Sequence, residues 1–92
     1  MTPEIANEIQ AEQCHGRQKY GKGPDDLEHD DNHDSFDWHE WISDHNQRAK
    51  YATPMERRQH LVKVAGLAVS AVEAHDRTMK PYGNHETRRA MD

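Results

Sequence analysis

One long apolar run, LVKVAGLAVSAVEAHDR from Leu61 to Arg77, limits what this chain can fold into. It lies inside a segment whose ends are marked. Thr53 suits an N-cap, Pro54 the first helical position, and Glu56 completes a Thr-x-x-Glu capping box. Downstream, Lys80-Pro81 and Gly83 stop a helix. Between these signals only Gly66 disfavours helix, by roughly 1 kcal/mol against Ala. The spacing predicts a helix over 54–79. Leu61, Ala65, Ala68 and Val72 form one apolar stripe, Val64, Leu67 and Ala71 another, with Val62 and Val69 between them. A face that wide needs cover on more than one side. The small residues Ala65, Gly66, Ala68, Ser70 and Ala71 allow another helix to come close.

The remaining sequence offers little to cover it. Of 92 residues, 33% are hydrophobic and 32% charged, so a lone chain buries little. We therefore expect a homo-dimer or higher assembly through the 55–79 helix, with Leu67, Ala68 and Ala71 in the contact. The net charge of −5 argues against coating nucleic acid, which requires clustered Lys and Arg. Cys14 has no second cysteine to pair with, which fits a reducing cytosol, and nothing reads as a leader or a membrane span. A cytoplasmic location and no membrane partner are expected.

Upstream, Thr2 and Pro3 open a first helix over 3–20 with a thin apolar face of Ile5, Ile9 and Tyr20, weakened by Glu12, Gln13 and Gly16. Tyr20-Gly21-Lys22-Gly23-Pro24 ends it. Asp25 to Asp34, DDLEHDDNHD, places six carboxylates in ten residues. Alone it reads as part of a solvated acidic loop over 21–36; with a divalent cation it becomes a ligand-rich segment. A second helix over 38–50 follows, capped by Asp37 with Glu40 as reciprocal partner and Phe36 stapled to Trp41. Trp38, Trp41, Ile42, His45 and Ala49 form its buried face, the tryptophans serving as core rather than as a stacking platform. The fold expected is all-α: a small bundle built on an antiparallel hairpin of the last two helices, spanning 1–80, with a polar tail over 81–92.

The hairpin register brings together two sets of side chains. Asp44, His45 and Arg48 lie level with His60 and Lys63. Glu73 and Asp76, one turn apart on one helix face, come level with Glu28, His29, Asp30, Asp31 and His33, a candidate metal set; His75 and Arg77 are expected to point elsewhere.

RQKYG, the HDDNH stretch, the Trp-initiated WHEWISDHNQRA and RRQHLVKVAGLAVSAVEAHDR, in that order across roughly 17–77, resemble the small phage-encoded MazG-like all-α nucleoside triphosphate pyrophosphohydrolases. The resemblance implies helical chains that dimerise or tetramerise and hold Mg²⁺, or Mn²⁺, on clustered acids, where the metal helps water release pyrophosphate. It also implies acids arranged Glu-Glu-x-x-Glu on one helix and Glu-x-x-Asp on the next. Here Asp44, His45 and Arg48 stand at the first three acidic positions and His60 and Lys63 on the following helix, so Asp44 alone keeps a carboxylate. Asp44 and His45 are then the candidate catalytic pair, and Arg48, His60 and Lys63 a surface for a nucleotide's phosphates. Asp44, His45 and His60 suit Zn²⁺ better than Mg²⁺, although Arg48 and Lys63 oppose any cation. The expected function is nucleotide-related, with weak or absent metal-dependent turnover. The alternative is a non-catalytic phage protein that binds a basic host defence factor through its acidic surface.

Overall fold

The computed structural model describes residues 1–79, so the tail expected over 81–92 lies outside the described residues. Four helices follow one another: α1 (Pro3–Tyr20), α2 (Leu27–Asp31), α3 (Ser35–Tyr51) and α4 (Pro54–Met79). Among the described residues there is no strand, and no helix is long and apolar enough to cross a membrane.

Local signals set most of these ends. The Thr2 hydroxyl accepts from the Ile5 N–H at 3.2 Å, with Pro3 in the first turn. At the other end of α1, the Gly21 N–H donates to the Arg17 carbonyl at 2.7 Å. A Cβ on Gly21 would stand 2.7 Å from that carbonyl and 2.8 Å from Asp26 Oδ2, so only glycine lets the turn close this tightly. α4 opens as expected from Thr53, whose hydroxyl lies 3.4 Å from the Glu56 N–H.

The acidic segment departs from the expected loop. Asp26 caps a short helix, α2, by accepting from the His29 N–H at 3.1 Å, and it also accepts from the Lys22 N–H at 2.8 Å. These two N–H groups, Lys22's the stronger, hold the Asp26 carboxyl below its ordinary range. α3 then starts at Ser35, three residues before the expected 38, because Asp34 and not Asp37 is its N-cap. Asp34 accepts from the Asp37 N–H at 2.9 Å, and Asp37 returns the bond from the Asp34 N–H at 3.3 Å. Asp37 thus serves as the partner within the box. Phe36 is 81% exposed and staples nothing.

The core is thin. Ile9, Trp38, Ala49 and Ala74 are the buried apolar side chains. On α1, Tyr20 was expected inward but is exposed, and the position that turns inward is Arg17, which is buried. The polar residues that weakened the apolar face of α1 turn out to hold it. Lys63 Nζ reaches Glu12 at 2.8 Å, Arg58 reaches Glu8 at 2.7 Å, and the Gln13 amide donates to Ser70 at 3.0 Å and Glu73 at 2.8 Å. The small residues of α4 do admit a neighbour: at Gly66 an added Cβ would meet the Glu12 side chain at 3.3 Å. α3 and α4 are joined through Ala52 and Thr53 alone and contact each other closely. Arg57 spans the junction, donating to the carbonyls of Ala49 and Ala52 at 3.2 Å each. Leu61 and Val72 of α4 stay largely exposed.

Candidate functional site

The α3–α4 set is assembled as the register suggested, but its charges are already committed. His45 and His60 meet with their Nδ1 atoms 3.2 Å apart and their rings tilted by 34°. Asp44 is ion-paired to Arg48, one turn along, at 3.2 Å with both side chains more than half exposed. Lys63 is drawn off to Glu12. Burial, then the neighbouring His60, push the proton affinity of His45 below the ordinary imidazole value; Asp44 opposes this, and Lys63 and Arg48 add to it. One carboxylate, already neutralised, beside two histidines and an arginine does not fit Mg²⁺, which demands several oxygen ligands. What the group offers chemically is a small basic surface able to meet phosphate oxygens. A shallow groove of about 320 Å³ between the same two helices is lined by Asn46, Gln47, Ala49, Lys50, Arg57 and Leu61.

The second set is broken up by arginines. Arg17 Nε pairs with Asp30 Oδ2 at 2.8 Å, with both side chains nearly inaccessible, and its Nη1 donates to the Pro24 carbonyl at 3.2 Å. Arg77, expected to point elsewhere, lies against Asp31, donating through Nε at 2.8 Å. This contact raises the guanidinium's proton affinity. Glu73 accepts from Gln13, Asp76 sits exposed beside His75 at 3.6 Å, and Glu28 is exposed. Among the described residues, no three of His, Cys, Asp and Glu converge as a metal-binding group. The acidic helix is joined to α1 and α4 by cations of the chain itself.

What remains in the segment is a line of four side chains. Asp30 Oδ1 is 3.2 Å from His29 Nδ1, the two Nε2 atoms of His29 and His33 are 3.3 Å apart, and His33 Nδ1 is 3.2 Å from Asp37 Oδ2. The His33 ring meets Trp41 edge-on at 4.7 Å and Trp38 at 5.8 Å, between centroids. Asp37 and Arg17 were absent from the sequence-derived sets. Asp37 is legible afterwards, since Asp-x-x-Asp is a capping box with an acid in place of Ser or Thr. Arg17 has only one signal, its helical spacing of eight from Ile9. In comparisons with family models, curated proteins and solved structures, the chain matches none.

Proposed function

We propose that this chain is a MazG-like, nucleotide-related helical protein of phage type that binds phosphate-bearing ligands at the α3–α4 surface and does not turn them over with Mg²⁺. The reading rests on the ordered resemblance of RQKYG, WHEWISDHNQRA and RRQHLVKVAGLAVSAVEAHDR to that family. The observation that supports the absence of turnover is the Asp44–Arg48 pair, which commits the one carboxylate beside His45 and His60 to an arginine. The meeting of His45 with His60 across a two-residue connection supports an antiparallel hairpin as the scaffold. The exposure of Leu61 (47%) and Val72 (61%) supports a second copy packed on α4. A nucleotide-hydrolysis panel with Mg²⁺, Mn²⁺ and Zn²⁺ tests the reading, with Asp44→Ala as control. The expected result is no Mg²⁺-dependent pyrophosphate release in either protein and nucleotide binding that weakens in Arg48→Ala. Robust Mg²⁺ turnover that disappears in Asp44→Ala would overturn it. A sedimentation run showing only monomer at micromolar concentration would remove the α4 assembly.

One observation favours the non-catalytic alternative. Asp25, Glu28 and Asp34 are exposed, and so is Phe36 at 81%, which leaves acidic and apolar groups available to a basic protein partner. Loss of all nucleotide binding, with retained capture of a basic host protein through Phe36, would favour it over the first reading.

A further inference from the structure

The line Asp30–His29–His33–Asp37 sets two ring nitrogens face to face with a carboxylate behind each ring. An ionised carboxylate only accepts hydrogen bonds, so each Nδ1 facing one must carry the ring hydrogen. Both Nε2 atoms are then bare, and two lone pairs face each other across 3.3 Å. A proton on one of them, or a metal ion held by both, relieves that contact. Two Zn–N bonds of about 2.0–2.1 Å meeting at a tetrahedral angle hold their nitrogens about 3.3–3.4 Å apart. The observed spacing is that of such a chelate, and the groups behind the rings decide whether a metal ion suits it.

The surroundings point the same way. Metal-bound histidines ordinarily donate their second N–H to a carboxylate, which fixes ring and tautomer. Both histidines do so here, and both carboxylates are themselves fixed: Asp30 by the buried Arg17, Asp37 by the capping box of α3. The rings are 19% and 25% exposed at the side chain, so an ion could enter and keep water in its remaining positions. We propose that His29 and His33 form a two-histidine site for a borderline divalent transition ion such as Zn²⁺, Co²⁺ or Cu²⁺, with Asp30 and Asp37 orienting the ligands. Nitrogen donors exclude Mg²⁺ and Ca²⁺ from it. This site is independent of the α3–α4 surface and of whether nucleotide binds there.

The two tryptophans, both in edge contact with His33, give the readout. Cu²⁺ added to the full chain should quench their fluorescence, and Zn²⁺ should compete the quenching away and raise the melting temperature by mass action. His33→Ala and His29→Gln should each abolish both effects with helical circular dichroism retained. Asp37→Asn should weaken Zn²⁺ binding about 10–100-fold, and His60→Ala should leave it unchanged. Absence of saturable quenching in the native chain overturns the site, as does quenching that survives His33→Ala. Zn²⁺ binding lost in His60→Ala but kept in His33→Ala would place the ion at the other pair and equally overturn it.

Discussion

The molecule holds two histidine pairs with nearly the same nitrogen separation and opposite electrostatics. His29 and His33 face each other at 3.3 Å with a carboxylate behind each ring. His45 and His60 face each other at 3.2 Å with Arg48 and Lys63 close by, and the one carboxylate near them, Asp44, is spent on Arg48. The first pair invites a cation; in the second, burial and the neighbouring His60 weaken proton binding at His45. Distance between donors therefore says little about a site until the groups behind the donors are known. The difference also follows burial. The carboxylate behind His29 is 5% exposed at the side chain and locked to Arg17, whereas Asp44 is 52% exposed and pairs on the surface.

The comparison breaks most completely at Arg17. Arg17→Ala strands the buried Asp30 and should cost about 3–5 kcal/mol in urea unfolding, a large part of the stability of a domain this size. Asp30→Asn with Arg17→Met should recover much of that loss, since charge and its partner leave together. A smaller effect is expected at the turn in front of α2. Gly21→Ala puts a methyl into the Arg17 carbonyl and should cost about 1–3 kcal/mol, with NMR shifts moving at His29 and His33 and not at His45 and His60.

Acid sharpens the contrast from the other side. Folded His45 binds a proton more weakly than the unfolded chain, so its contribution to stability is full above the ordinary imidazole pKa of about 6.5 and is lost as the pH falls below that value and through the lower folded one. Melting temperatures between pH 7.5 and 5.5, about one unit either side, should fall for the native chain and fall less for His45→Gln. If His45→Gln follows the native curve, the pair is not what couples proton uptake to unfolding. The smallest effect belongs to the exposed pair. Asp44→Ala should change stability by no more than about 0.5 kcal/mol, because an i,i+4 ion pair at the surface is well solvated.

Features under short-range chemical control can be read from the chain alone. Thr2-Pro3 and Thr53-Pro54 start α1 and α4, and Gly21 ends α1, because a cap needs only the next few residues. The chain also places His45 level with His60, since a two-residue connection leaves little freedom in register. Where two local solutions competed, the pattern chose wrongly: Asp34 and Asp37 can each cap a helix, and α3 takes the earlier start, in which the later acid serves the box. Contacts between segments far apart in the chain depend instead on how the helices pack. Arg17 and Arg77 found Asp30 and Asp31 across 13 and 46 positions, because six crowded carboxylates need cations and no rule of spacing says which cations will reach them. The burial of Arg17 in place of Tyr20 has the same cause: a thin core leaves room for a charge only where an opposite charge is waiting.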